Sequence, residues 1–257
     1  MTKLSLFALH GFPLIQPGQP LLPAIEAALT ASDITLADGD ILVLAQKVVS
    51  KSEDRFRDLA TIIPTESAIQ YATICLKDPR FIQAVLDESS VVIRCAPNVF
   101  IVQDRRGLTL ANAGIDQSNL DHTVAGESRE LILLLPEDPD RSAALLRRQI
   151  LEAWGVDVGV VISDSFGRPW RLGTTGVCIG CAGVEPIRDQ RGGVDLYGRT
   201  LMVTQPAVGD QIAAAGCLLM GEAAEGRPLV IVRGFPTVVE NRSAKELVRS
   251  GEQDLFR

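Results

Sequence analysis

The run Ile162-Ser163-Asp164-Ser165-Phe166-Gly167-Arg168-Pro169-Trp170-Arg171 packs a carboxylate, a neighbouring hydroxyl, a glycine and two guanidinium groups into one expected short turn. It directly follows the apolar run from Val156 to Ile162, which reads as a buried strand. An Asp-Ser pair at a strand's exit can hold a divalent cation through oxygen, and Arg168 and Arg171 can grip phosphate or carboxylate bidentately. A purely structural loop rarely needs that much charge beside two large aromatics. The chemistry to expect is an active site acting on an anionic, metal-bound substrate.

Four further clusters carry polar or glycine-rich chemistry. Gly11-Phe12-Pro13-Leu14-Ile15 with Gly18 is a Gly/Pro-bounded apolar loop ahead of a helix, and a simple turn accounts for it equally well. Gln46-Lys47-Val48-Val49-Ser50-Lys51 follows a buried strand; Lys51 can neutralise a phosphate as a mobile point charge or stand as a solvated lysine at a strand end. In Ala111-Asn112-Ala113-Gly114-Ile115-Asp116-Gln117-Ser118-Asn119, small residues let backbone approach a ligand, and Asp116 and Asn119 offer oxygen ligands. An Asx-rich turn is the competing account of that segment. Thr204-Gln205-Pro206-Ala207-Val208-Gly209-Asp210-Gln211 opens an Ala-rich helix whose free N–H groups can receive an anion, with Asp210 or Gln211 completing a metal shell. Helix capping by Asp210 would need no ligand.

Neither a GxxxxGK[ST] phosphate loop nor a GxGxxG turn is present, so a nucleotide would be held by an uncommon arrangement. With only His10 and His122, no Ser-His-Asp or Cys-His arrangement emerges, and His122 reads as a surface-loop histidine rather than a base. Together the clusters supply carboxylates, lysine, arginine and glycine loops, the components of metal-assisted work on phosphates.

These groups must be positioned by a mixture of helices and strands. Leu21 to Ala31 reads as a short helix, and Asp38-Gly39-Asp40 as a turn into the strand Ile41 to Leu44. Strands at Val91 to Cys95 and Val99 to Gln103 are joined by Ala96-Pro97-Asn98, a hairpin signal. Leu131 to Leu135 is a strand stopped by Pro136-Glu137-Asp138-Pro139-Asp140, and Ser142 to Trp154 an amphipathic helix with Leu146, Ile150 and Trp154 on one face. Leu201 to Thr204 and Leu229 to Val232 read as further strands, with a helix from Ala207 to Ala224 between them. Strands neither alternate strictly with helices nor segregate, so α+β is the expected class.

Composition narrows the function. A net charge of −7 argues against a general nucleic-acid or membrane-surface binder. No apolar run is long enough to span a bilayer, and the segment from Met1 to His10 lacks a convincing signal cleavage site, so a cytoplasmic location is expected. Five cysteines form no disulfide framework. Cys178 and Cys181 make a lone CxxC without a second pair for zinc, and read better as small buried thiols than as a redox couple.

The quoted segments, in order, resemble the coenzyme F420-0:L-glutamate ligase family. The matching stretches are Gly11 to Ile15, Asp38 through Lys51, Ala111 to Asn119, Leu134 to Asp140, Asp164 to Arg171 and the closing Gln253-Asp254-Leu255-Phe256-Arg257, which span nearly the whole chain. The resemblance implies a GTP-dependent enzyme that adds L-glutamate to the lactyl-phosphate tail of a deazaflavin cofactor. Phe12, Pro13, Leu14, Ile15, Gln46, Lys47, Lys51 and Asn119 would then surround GTP, and Gly209, Asp210, Gln211, Ile212, Ala213, Ala214, Ala215 and Gly216 would contact its phosphates. Asp116, Asp164, Ser165 and Gln211 would bind two divalent cations, Mg²⁺ or Mn²⁺, and the family also uses K⁺. Ser165 stands where threonine is usual, and Gly209-Asp210-Gln211 where Ala-Asp-Glu is more common, which leaves Gln211 versus Asp210 open. The implied architecture is a family-specific α+β fold with mixed and antiparallel sheets and flanking helices. It is a single domain over 1–257, without the nitroreductase-like C-terminal domain of some relatives, assembled as an intertwined homodimer.

In the implied reaction an acyl phosphate forms from GTP and the F420-0 carboxylate, and glutamate's amine displaces the phosphate. Asp116 and Asp164 would serve through their cations, while Arg168 and Arg171 would hold the glutamate carboxylates or the cofactor's phosphodiester. A non-catalytic nucleotide- or deazaflavin-binding protein, a deazaflavin- or flavin-dependent oxidoreductase, and an amide ligase for a different acid are the alternatives.

Overall fold

A computed structural model of the chain describes residues 3–124, 127–238, 240 and 242–254; Met1, Thr2 and the closing Leu255-Phe256-Arg257 lie outside the described residues. In chain order the first half runs β1 (Ser5–Ala8), α1 (Leu21–Ala31), β2 (Ile41–Ala45), α2 (Gln46–Ser52), β3 (Phe56–Asp58), α3 (Glu66–Cys75), α4 (Pro79–Asp87), β4 (Ser89–Ala96), β5 (Val99–Asp104) and β6 (Thr109–Ala111). The second half runs β7 (Thr123–Val124), β8 (Glu127–Ser128), β9 (Leu131–Leu133), α5 (Pro139–Trp154), β10 (Gly159–Arg168), β11 (Arg171–Ala182), α6 (Val208–Met220) and β12 (Leu229–Arg233). The α+β expectation holds.

A five-stranded sheet, ordered β1-β12-β2-β10-β11, organises the molecule. Only β2 and β10 are parallel; the other neighbours are antiparallel. The central strands are apolar on both sides because both faces are covered. Leu42, Leu44, Val160, Ile162, Leu229 and Ile231 point into one core with α1 and α5. Their alternates Ile41, Val43, Val161, Val230 and Val232 point into a second core under α6. A third core joins α3 and α4 to the β4-β5-β6 sheet and to Ile115, Ile132 and Leu134 near β9.

Several boundaries differ from the expectation for physical reasons. The run from Ile162 to Arg171 is not a turn: β10 continues to Arg168, and only Pro169-Trp170 turns the chain, with Trp170 at φ +58°. The returning β11 carries Gly173, Thr174, Thr175, Gly176 and the CxxC, a composition that hides a strand until its antiparallel partner is known. Pro139 does not lie in a stop signal but opens α5, where Asp138 caps the helix by accepting from Arg141 N at 3.1 Å. Gln46 to Ser52 is helix α2 rather than a strand end, and β9 stops at Leu133. Leu201 to Thr204 is no strand. Met202 and Val203 are exposed, and this backbone pairs with the 190–193 loop instead of a sheet. The helix expected to reach Ala224 ends at Met220, followed by Gly221 at φ +76°.

The sheet meets α5 at close range through glycine. A Cβ on Gly180 of β11 would lie 2.4 Å from Pro139. Gly180→Ala should therefore force β11 from the start of α5 and destabilise the chain by about 1–3 kcal/mol in urea unfolding. An unchanged midpoint and slope would contradict this packing.

Candidate active site

Because β2 and β10 are parallel, their carboxyl ends fall at the same sheet edge, where Ala45 is in register with Ser163. The chain leaves β2 directly into α2, so Gln46 and Lys47 emerge beside Asp164. A separate segment brings Asp116, whose backbone N donates to Leu133 O and whose O accepts from Leu133 N, both at 2.9 Å. Preceding it, Asn112 and Ala113 both adopt φ +53° and Gly114 packs against Leu135, a conformation suited to small residues.

The side chains of these elements converge. Buried Gln46 donates from Nε2 to Asp116 Oδ2 at 2.6 Å, and its Oε1 accepts from Ser50 Oγ at 2.8 Å. Lys47 Nζ lies 3.2 Å from Asp116 Oδ1 and donates to Ser118 Oγ at 2.9 Å. Lys51 Nζ donates to the backbone O of Asn119 at 2.7 Å, and Asn119 Nδ2 to the backbone O of Ala223 at 3.2 Å. The 11–18 loop is tied to the same helix, since Gly18 N donates to Lys51 O at 3.0 Å. Within that loop Ile15 is buried and Phe12 partly buried in the core, while Pro13 and Leu14 are exposed.

Electrostatics mark the carboxylates. Burial, reinforced by the charge of Asp116, raises the Asp164 pKa to about 7. Burial also raises Asp116, against the opposing effects of Lys47 and Gln46. Lys51 is lowered by burial and by Lys47. Two desolvated carboxyls within electrostatic range, with a serine hydroxyl next in sequence, form a hard-oxygen donor set that suits Mg²⁺ or Mn²⁺. No group of three His, Cys, Asp or Glu side chains among the described residues gathers as a metal cage. Mg²⁺ is commonly held by one or two carboxylates with phosphate oxygens supplying the rest, so the donors present fit that mode.

Other expected residues sit further out. Asp210 neither caps α6 nor turns to the carboxylates; its Oδ1 accepts from Cys178 N at 3.0 Å and pins the helix to β11. Gln211 is exposed on the first turn of α6. Gly209, Ile212, Ala213 and Gly216 are buried against the sheet, with Ala214 and Ala215 half-buried beside them. Arg168 turns into its own hairpin, Nη2 donating to Leu172 O at 3.3 Å, while its buried Nε has no hydrogen-bond partner. Arg171 is exposed near the hairpin tip. Cys178 and Cys181 are buried, in keeping with packed thiols, and exposed His122 lies 3.1 Å from Arg129 O. A cavity of about 490 Å³ lined by Arg55, Glu88, Arg106, Asp138, Ile179 and Lys245 contains none of the expected site residues.

One participant was missed. Ser165 Oγ donates at 2.8 Å to Glu222 Oε1, which lies in the turn after α6 and whose charge reaches Asp164. The only sequence signal was a carboxylate directly after the glycine that ends a helix.

The class these features define is an α+β protein in which two carboxyls and two lysines gather at a sheet edge beside a parallel strand pair. The chain belongs to the F420-0:gamma-glutamyl ligase family, whose model matches residues 11–234. It is 42% identical over 256 residues to the coenzyme F420:L-glutamate ligase of Methanothermobacter thermautotrophicus, covering 99% of each chain. Relatives of the same name from Methanopyrus kandleri and Archaeoglobus fulgidus are each 42% identical, covering 95% and 99% of this chain and 93% and 97% of their own.

The raised Asp164 pKa has a direct consequence for stability. Below its ordinary value of 3.8 the carboxyl is protonated both folded and unfolded. As pH rises toward about 7 the unfolded chain loses that proton and the folded chain keeps it, so cation-free stability falls across this window. Asp164→Asn removes the titration. Its melting temperature relative to wild type should climb by a few °C from about pH 4 to about pH 8 in chelator. A pH-independent difference would contradict the buried setting of Asp164.

Proposed function

We propose that this chain is a GTP-dependent ligase that joins L-glutamate to the lactyl carboxylate of coenzyme F420-0 through an amide bond, releasing GDP and phosphate. The observation that carries the reading is the convergence of half-buried Asp116 and Asp164 with Lys47 and Lys51 at one sheet edge. Family membership and the shared name of its relatives supply the substrate class.

The chemical problem is that a carboxylate must react with a triphosphate, and both are anions. In the proposed first step a carboxylate oxygen of F420-0 attacks the γ-phosphorus of GTP and the bond to the β,γ-bridging oxygen breaks, giving an acyl phosphate and GDP. The glutamate amine then attacks the acyl carbon, loses a proton, and the bond to the phosphate oxygen breaks. Two divalent cations held by Asp116, Asp164 and Ser165, with K⁺ as a further cofactor, would neutralise the phosphate charge that otherwise opposes the first step. Lys47 and Lys51 add positive charge on the α2 side, where Asn119 and the Phe12–Ile15 loop would flank the nucleotide. Gln46 fixes the orientation of the Asp116 carboxylate. Arg168 and Arg171, on the projecting hairpin, are assigned to substrate carboxylate or phosphodiester.

A homodimer belongs to the same proposal. Trp170 and Leu172 on the hairpin and Leu196, Tyr197, Met202 and Val203 in the following loop are exposed apolar residues of the kind an interface covers. No helix among the described residues is long and apolar enough to cross a membrane. A cytoplasmic setting is also proposed, in keeping with five free cysteines.

Mass spectrometry of a reaction containing GTP, Mn²⁺, L-glutamate and F420-0 should show a glutamate-sized increment on F420-0. Asp116→Asn and Asp164→Asn should each lower GDP release by roughly 10²-fold or more with unchanged circular dichroism. Lys51→Ala should chiefly raise KM for GTP, the mark of lost ground-state binding. Wild-type turnover in both aspartate variants would remove the cation-assisted mechanism.

A further inference from the structure

The cavity of about 490 Å³ has a lining suited to a ligand that carries both signs of charge. Its wall holds two guanidinium groups that share one carboxylate at long range: Arg55 Nη2 lies 3.4 Å from Glu88 Oε2, and Arg106 Nη2 lies 3.9 Å from the same oxygen. Arg55 Nε donates to Leu135 O at 3.0 Å. Arg106 donates from Nε to Asp104 Oδ2 at 2.7 Å and from Nη1 to Pro136 O at 2.9 Å. Those bonds fix both guanidinium planes, yet buried Arg106 Nη2 has no hydrogen-bond partner among the described residues. A buried donor is costly to leave in that state.

Two acidic side chains of the lining are committed elsewhere. Asp140 accepts from Cys181 N and Ala244 N, both at 2.9 Å, and from Ser243 Oγ at 2.5 Å. Asp138 caps α5. By contrast, the exposed side chains of Arg105, Lys245 and Glu137 make no hydrogen bond or ion pair among the described residues. Leu108, Ile179 and Val248 add apolar surface to the same cavity. Two spare cations and one spare carboxylate match two carboxylates and one ammonium, and the apolar part would cover the methylenes that join them. A bare phosphate would be opposed by Glu137, and a monocarboxylate would leave a cation unused. We propose that this cavity binds an acidic α-amino acid, its carboxylates on Arg105 and Lys245 and its ammonium on Glu137. The site contains no residue of the reaction edge and stands whether or not the chain is a ligase.

Isothermal titration calorimetry of the full chain without nucleotide tests this. L-Glutamate and L-aspartate are the probes, with glutarate, which lacks the ammonium, and inorganic phosphate as comparators. Wild type should bind one of the two amino acids more tightly than glutarate or phosphate. Arg105→Ala and Lys245→Ala should each weaken that binding by roughly 10-fold. Glu137→Gln should weaken the amino acid and leave glutarate unchanged or tighter. Arg168→Ala and Arg171→Ala, on the projecting hairpin, should leave the amino acid's affinity at the wild-type value. Because Arg105, Lys245 and Glu137 are exposed and unpaired, their variants should melt like wild type. No saturable heat with either amino acid overturns the proposal. So does glutarate or phosphate binding as tightly as the amino acid, or a loss confined to the Arg168 and Arg171 variants, which would put the amino acid at the reaction edge. A reaction that adds no glutamate to F420-0 would instead overturn the function proposed above and leave this site standing.

Discussion

Asp116 and Asp164 repel each other from partly desolvated positions, and the structure around them is arranged to hold that unfavourable pair in place. Burial raises both carboxyls, and the charge of Asp116 adds to the cost of ionising Asp164. Lys47 and Gln46 relieve Asp116, but Asp164 is left with its backbone contact to Ser165 and the distant help of Lys47. A folded chain can keep such a group only as a neutral acid or with a cation nearby. In the proposed phosphate chemistry that tension would be put to use, because one cation would serve both the protein's carboxylates and the substrate's anions.

The fold makes the pairing possible by rule rather than by local accident. The parallel pairing of β2 with β10 ends at Ala45 and Ser163, so the helix leaving β2 and the hairpin into which β10 continues share an edge. Asp116 arrives from a different layer, fixed by its two backbone bonds to Leu133 while the third core packs Ile115 and Ile132 behind it. The turn after α6 closes the far side through Asn119 and Ser165. Four sequence-distant segments therefore depend on one another for their geometry, and the apolar cores on either side of the main sheet hold them still.

The sequence made the apolar strands and amphipathic helices legible, because burial on one or both faces leaves a periodic trace. Leu21 to Ala31, Ile41 to Leu44, the hairpin at Ala96 to Asn98 and the strand at Leu229 all fell where periodicity placed them. β11 was invisible because glycines and threonines carry no such trace, and its strand character comes from pairing with β10. The false strand at Leu201 shows the converse, since apolar residues in an exposed loop mimic a buried strand. For the site, Asp116 and Asp164 were legible as residue types, but their proximity came through resemblance and then through the parallel register. Glu222 left almost no signal, because a carboxylate after a helix-ending glycine is ordinary in isolation. Asp210 was ambiguous for a related reason: its partner, the Cys178 amide, belongs to a strand the sequence did not reveal.

The central claim is that the two aspartates share a cation-binding edge with the nucleotide. Anomalous diffraction from a crystal grown with Mn²⁺ and a non-hydrolysable GTP analogue reads this directly. The account predicts manganese peaks within coordination distance of the Asp116 and Asp164 carboxylates, bridged to nucleotide phosphate oxygens beside α2. Nucleotide bound elsewhere, or manganese absent from that edge while nucleotide occupies it, would contradict the account.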